Sequence, residues 1–341
     1  MRRRRMGLIS LGDSKHQIGS IDRGHGSVID EIPGLIRVYK DGHVYRYPVV
    51  QESPCTIETG VSSRDFSIDC GLWARFYVPN RVDKPALLIY FHGGGFCVGS
   101  AAWKCYHEFL SKLAVKSGCV IMSVNYRLAP EHPLPAAYDD GFVALTWAIR
   151  RVGAGSGADD PSRWLARCDS SRVFLAGDSA GANIAHHVMA RHGSEPGSRL
   201  SLRGTILIQP FFGGEPRTDS EKHLVQPPDS ALTLATSDTY WRLALPPDSS
   251  RDHFWCNPLS SKSPLKLEEV KLPAILVCVS ENDILKDRDL GYCEGLRKMG
   301  KKVQVMVYGG VGHAFQVLHN SPMAGIRTLE LISHVANFIN S

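Results

Sequence analysis

The sequence predicts an α/β fold with a mostly parallel central sheet and helices on both of its faces. Two observations predict it. The runs Ala86-Leu87-Leu88-Ile89-Tyr90-Phe91, Arg172-Val173-Phe174-Leu175-Ala176, Ile206-Leu207-Ile208 and Ala274-Ile275-Leu276-Val277-Cys278-Val279 are apolar throughout, as in strands buried on both faces. Helix-length segments alternate with such runs, and strands that alternate with helices pair in parallel. The 341 residues, 43% hydrophobic and 21% charged, supply a large core, and one domain with a lid is expected.

Met1-Arg2-Arg3-Arg4-Arg5-Met6 is strongly basic, but the following Gly7-Leu8-Ile9-Ser10-Leu11-Gly12-Asp13 is too short and polar for the apolar core of a secretory signal. A solvated arm is expected instead, with Met6 as an alternative start. Residues 13–33 are polar and Gly-rich, so 1–34 reads as an arm and lid segment and 35–341 as the folded domain. Around Asp41-Gly42 the chain alternates as a hairpin does, and the sheet is expected to start there.

Further strands are read at 65–69, 72–78, 87–91 and 120–125, with helices at 102–116 and 137–151. Pro130-Glu131-His132-Pro133-Leu134-Pro135 excludes both helix and central strand and forms a fixed loop. Asp139 and Asp140 follow in the first turn of a helix, where they complement the helix dipole. Gly153 opens a Gly-rich connector to residue 160. After the strand at 206–210 the alternation stops. Residues 212–267 carry Pro216, Pro227, Pro228, Pro246, Pro247, Pro258 and Pro264 with one helix at 231–245, an insertion of the size that forms a cap. Phe211 and Phe212, just past the strand end, are expected to contact a ligand. A helix at about 322–339 closes the chain.

Gly177-Asp178-Ser179-Ala180-Gly181 joins an apolar strand to a run of helix formers, the strand, sharp turn and helix that hold a nucleophilic serine. Its glycines let strand and helix approach closely. Such a pentapeptide also occurs as an ordinary turn, so the companions matter. His92-Gly93-Gly94-Gly95-Phe96 leaves a buried strand with three glycines whose N–H groups can converge on a developing oxyanion. The run 274–279 delivers Asp283, and Val303-Gln304-Val305-Met306-Val307-Tyr308 leads through Gly309-Gly310-Val311-Gly312 to His313. Taken singly, such an Asp caps a helix and such a His is solvated. Together Ser179, Asp283 and His313 stand in the chain order of a nucleophile, acid and base triad. Asp287 is the fallback acid, ranked lower because it is expected to face outward from the next helix.

These motifs, with Asn125-Tyr126-Arg127-Leu128-Ala129-Pro130-Glu131-His132-Pro133 and Gly312-His313-Ala314-Phe315, resemble the plant carboxylesterases of the hormone-sensitive-lipase-like group of α/β-hydrolases, a relationship that includes the gibberellin receptors. The resemblance implies an α/β-hydrolase fold capped by the N-terminal segment and the insertion. It also implies a serine carboxylesterase acting on a small, fairly apolar ester. Ser179 would attack, His313 would act as base and then acid, and Asp283 would orient the imidazole. Gly93, Gly94 and Gly95 with Ala180 would form the oxyanion hole, the N–H groups of Gly94, Gly95 and Ala180 being the donors. The alternative to the dipole role that the resemblance implies for Asp139 and Asp140 is a brace beside the nucleophile loop. Two other activities fit the resemblance. A hormone-binding protein is one, since the receptors look like esterases that lost the triad His, whereas His313 is present here. A dehydratase or lactone-forming enzyme on the same site is the other.

No cofactor or metal is expected. The nine cysteines are scattered without a Cys-x-x-Cys pair, which fits reduced thiols and a cytoplasmic setting, with the nucleus as an alternative. His186, His187 and His192 lack the spacing of helical metal ligands. A net charge of +5 gives no ground for a nucleic-acid partner, and no run of about 18 apolar residues is present to span a membrane.

Overall fold

The computed structural model describes residues 24–80, 82–153, 163–195, 202–226 and 230–341. The arginine arm, the start of the lid segment, the connector beyond Gly153 and the Pro227-Pro228 pair lie outside the described residues.

Three short antiparallel strands come first, β1 (Val28–Ile32), β2 (Ile36–Tyr39) and β3 (Val44–Arg46). The Asp41-Gly42 turn joins β2 to β3 as its chemistry predicts, with Gly42 at a φ of 87°. Two expectations change here. The hairpin builds a separate three-stranded sheet rather than starting the main one, and β1 lies inside the segment read as an arm. Pairing is the reason, because Ile32 faces Ile36 across β1 and β2 and both are buried.

The main sheet begins with β4 (Ile57–Glu58), β5 (Val61–Ser67), β6 (Trp73–Pro79) and β7 (Leu87–Phe91). Helix α1 (Lys104–Ser117) leads to β8 (Val120–Asn125), and α2 (Ala136–Ile149) with the short α3 (Arg163–Ala166) leads to β9 (Val173–Asp178). Helix α4 (Ala180–Ser194) connects to β10 (Gly204–Ile208). The insertion contributes α5 (Asp219–His223) and α6 (Leu234–Ala244), and the chain ends with β11 (Ala274–Ser280), α7 (Lys286–Lys298), β12 (Val303–Tyr308), α8 (Phe315–Leu318) and α9 (Ala324–Asn340). Helix α6 starts later than residue 231 because Thr233 caps it, accepting from the Thr236 N–H while Thr236 answers the Thr233 N–H. Gly118, at a φ of 68°, ends α1.

The nine strands lie in the order β12-β11-β10-β9-β7-β8-β6-β5-β4. From β8 to β12 all neighbours are parallel, and β6, β5 and β4 add an antiparallel edge. Alternate residues of the apolar runs serve opposite faces. Leu87, Ile89, Phe91, Val173 and Leu175 join one core with α2, α4 and α7, while Leu88, Tyr90, Phe174 and Ala176 join a second with α1 and α9. This two-sided burial is what forbids polar alternation along these strands.

The order also places the site. Strand β7 is followed in sequence by β8 on one side, whereas β9 lies on its other side and the chain then proceeds away through β10, β11 and β12. Such a reversal leaves a crevice beyond the carboxyl ends of the two strands. Phe91 pairs with Gly177 there, so the glycine loop and the serine turn leave neighbouring strand ends.

Candidate active site

Ser179 sits between β9 and α4 with φ 53° and ψ −121°, a conformation that costs a non-glycine residue on the order of 1 to 3 kcal/mol. The surroundings enforce it. A Cβ at Gly177 would run into the Gly181 backbone, and one at Gly181 would run into the Phe91 carbonyl, so only glycine permits strand, turn and helix to close this tightly. The Ser179 N–H donates to the Ile208 carbonyl at 2.9 Å, and its carbonyl accepts from the Phe211 N–H at 3.0 Å.

The three expected side chains meet. His313 Nε2 lies 2.8 Å from Ser179 Oγ, and His313 Nδ1 lies 2.6 Å from Asp283 Oδ2. All three residues are buried. Asp283 Oδ1 accepts the Leu285 N–H at 3.0 Å, which fixes the carboxylate plane. Asp287 is elsewhere, accepting the Ser220 N–H of the cap at 2.7 Å, so it does not compete for His313. The His313 turn is held by Gln209, whose Oε1 accepts the Ala314 N–H at 2.7 Å and whose Nε2 donates to Ser280 Oγ at 2.7 Å. Among the described residues no group of three His, Cys, Asp or Glu side chains has the arrangement of a metal site.

The glycine loop divides into two parts. The Gly93 N–H points into the protein, 2.7 Å from the Tyr106 hydroxyl and 3.0 Å from Asp178 Oδ1, so within the expected oxyanion hole Gly93 anchors the loop rather than donating. The N–H groups of Gly94, Gly95 and Ala180 meet no acceptor among the described residues. Gly94 and Gly95 lie at φ values of 115° and 57°. A Cβ at Gly94 would strike the Val98 carbonyl, and one at Gly95 would enter the ring of Tyr240.

Tyr240 and Trp241 bring the cap onto this loop, with Trp241 5.5 Å from the ring of Phe96. Phe211 stacks on Trp241 at 4.6 Å, and Phe212 packs 4.7 Å from Tyr292 and 5.7 Å from His186. With 0% and 2% of their surface exposed, Phe211 and Phe212 have no face left for a ligand, and the expected contact is corrected to packing beneath the cap. The cap is also tied to α4 by Asn183. Its Nδ2 donates to the carbonyls of Phe211 and Trp255 at 3.0 and 2.9 Å, and its Oδ1 accepts the Tyr138 hydroxyl at 2.8 Å. Asp140 receives the Arg127 N–H and guanidinium at the start of the Pro-rich loop, whereas Asp139 pairs with Arg191.

Residues 88–317 match the family model described as the alpha/beta hydrolase fold. The chain belongs to the α/β-hydrolase family. It is 46% identical over 328 residues, 93% of each chain, to probable carboxylesterase 6 of Arabidopsis thaliana. It is 38% identical over 285 residues, 77% of each chain, to a gibberellin receptor of the same plant. Among solved structures it matches the esterase of Pyrobaculum calidifontis with a TM-score of 0.66 and 28% identity, covering 82% of this chain and 84% of that one. In this α/β-hydrolase the residues that sequence reasoning missed are Asp178, Tyr106, Gln209 and Asn183. Of these Asp178 alone carried a signal, being a charged residue at the end of a fully apolar strand.

Proposed function

We propose that this chain is a serine carboxylesterase that cleaves a small, fairly apolar ester through an acyl-enzyme on Ser179. Its family and its likeness to esterases make it a carboxylic ester hydrolase; the covalent route is read from the side chains. The observation that carries it is the hydrogen-bonded line from Asp283 through His313 to Ser179, at 2.6 and 2.8 Å.

Ser179 Oγ attacks the ester carbonyl as its proton passes to His313 Nε2, and Asp283 holds the imidazole tautomer and balances the imidazolium. The carbonyl oxygen becomes negative where the unused N–H groups of Gly94, Gly95 and Ala180 supply donors, each worth about 3 to 4 kcal/mol in sites of this kind. The proton on His313 then goes to the leaving alkoxide, releasing alcohol and the acyl-enzyme. Water, deprotonated by His313, attacks that acyl carbon, and the acid leaves as Ser179 recovers its proton. The Tyr240 ring, lying against Gly95 beside the proposed donors, favours an apolar ester over a charged one.

Hydrolysis of short-chain p-nitrophenyl esters by the wild type, Ser179→Ala and His313→Ala tests the reading. Wild-type turnover with both variants lowered by roughly 10⁴-fold or more is expected. An inert wild type, or a Ser179→Ala protein that retains the activity, would overturn it.

A further inference from the structure

Asp178, the residue before the nucleophile, is 1% exposed and has no cation beside it among its hydrogen-bond partners. Its carboxylate instead gathers donors from three segments. Oδ1 accepts the Tyr90 hydroxyl at 2.8 Å and the Gly93 N–H at 3.0 Å. Oδ2 accepts the Tyr106 hydroxyl at 3.0 Å and, more weakly, Gln316 Nε2 at 3.4 Å. Tyr106 in turn accepts the same Gly93 N–H at 2.7 Å. The space is closed, since a Cβ on Gly93 would lie 2.7 Å from Asp178 Oδ2.

We propose that Asp178 is a positioning residue of the esterase reaction, a buried carboxylate that holds the glycine loop and the turn after His313 in fixed relation to Ser179. The proposal rests on the serine mechanism given above. Gly93 is the last loop residue before the free N–H groups of Gly94 and Gly95, so anchoring its N–H sets where theirs point. Gln316 follows His313 by three residues and brings the third segment to the same carboxylate.

The chemistry of the anchor is specific. A carboxylate accepts at every lone pair and donates at none, and it faces donors only. An Asn amide of the same shape would aim an NH₂ group at one of those donors. Burial pushes the Asp178 carboxyl up to about 6, while the Tyr90 and Tyr106 hydroxyls, the His313 charge and the Gly93 N–H oppose that rise. A group that costs stability when ionised and sits beside the nucleophile fits a role in the reaction better than one in packing.

The test compares Asp178→Asn and Tyr106→Phe with wild type on a p-nitrophenyl ester, and adds inhibition by phenylboronic acid, which forms a tetrahedral anion on Ser179 Oγ. Asp178→Asn is expected to lower kcat by about 100-fold with KM changed less than about threefold, and Tyr106→Phe to lower kcat by about tenfold. Boronate affinity should weaken by the same factor as kcat/KM, which a merely structural role would not produce. Wild-type kcat in both variants, or a loss confined to KM, overturns the proposal. If Asp178→Asn does not fold, Tyr106→Phe and Tyr90→Phe decide it in the same assays. Activity retained by Ser179→Ala would sink the underlying mechanism, whereas an inactive Ser179→Ala beside an unchanged Asp178→Asn sinks this inference alone.

Discussion

The phenol ring of Tyr240, on cap helix α6, rests on Gly95 of the glycine loop so closely that a Cβ at Gly95 would stand within the ring. The cap therefore touches the proposed oxyanion donors themselves. Gly95→Ala must displace α6 and also hold an L-residue at a φ of 57°, which costs roughly 1 to 2 kcal/mol by itself. Its kcat/KM on a p-nitrophenyl ester is expected to fall at least about tenfold. Adding Tyr240→Ala to the same chain should recover part of that loss; a double variant no better than the single one would show that the ring is not the obstacle.

Asn183→Ala removes a side chain that ties α4 to the start of the insertion at Phe211 and to Trp255 within it. The Phe211 carbonyl and the Tyr138 hydroxyl lose their bonds to it, while the Trp255 carbonyl keeps His187 Nε2 at 3.2 Å. A loss of about 2 to 4 kcal/mol in urea unfolding is expected, with KM raised as the cap loosens. An unchanged midpoint would show that these bonds do not hold the cap.

Asp289 is 0% exposed on α7, and neither carboxylate oxygen has a hydrogen-bond partner among the described residues. Burial first, and then the nearby Asp283 charge, raise its carboxyl well above the ordinary range. The native state thus keeps a proton that the unfolded chain releases above about pH 4, so on this account stability falls as pH rises from there toward the native value. Each pH unit in that interval costs up to about 1.4 kcal/mol. Asp289→Asn should lose this slope. Unfolding midpoints at pH 5 and pH 8 check it: the variant's advantage over wild type should be larger at pH 8, and an advantage independent of pH would refute the assignment.

Two adjacent acids offer a paired comparison. Asp139 meets Arg191 at the surface, where both side chains are about half exposed, and Asp139→Ala is expected to cost less than about 1 kcal/mol. The Asp140 side chain is 4% exposed and receives both the Arg127 N–H and its guanidinium. Asp140→Ala should cost about 2 to 3 kcal/mol by thermal or urea unfolding. Equal effects would mean that the loop before α2 does not depend on Asp140.

The main sheet was legible because its strands are buried on both faces, so apolar runs such as 87–91 and 274–279 mark them without reference to any partner. The meeting of Ser179, Asp283 and His313 was legible for a related reason, since each follows a strand end or a glycine turn that sequence alone displays. Strand β1 was not, because Asp30 and Glu31 break its apolar pattern and its pairing with β2 replaces what side chains lack. Phe211 and Phe212 misled because an aromatic pair past a strand end looks the same whether a ligand or Trp241 covers it. The Asp178 anchor was hidden in its partners. Tyr90 lies in an apolar run and Tyr106 in a helix, and nothing in their spacing tells which way a hydroxyl points.

The amide of Asn183 donates to two carbonyls, of Phe211 at the start of the insertion and of Trp255 within it, and a carbonyl belongs to every residue type. The attachment therefore constrains the backbone at 211 and 255 without reading a side chain there, while Tyr240 on Gly95 and Trp241 on Phe211 hold the segment between them. The segment from 212 to 254 is thus pinned to α4 at two backbone points, in addition to its side-chain packing on the glycine loop. A cap from a relative joined at these two positions would keep the Asn183 bonds, but it would also need a ring that seats on Gly95.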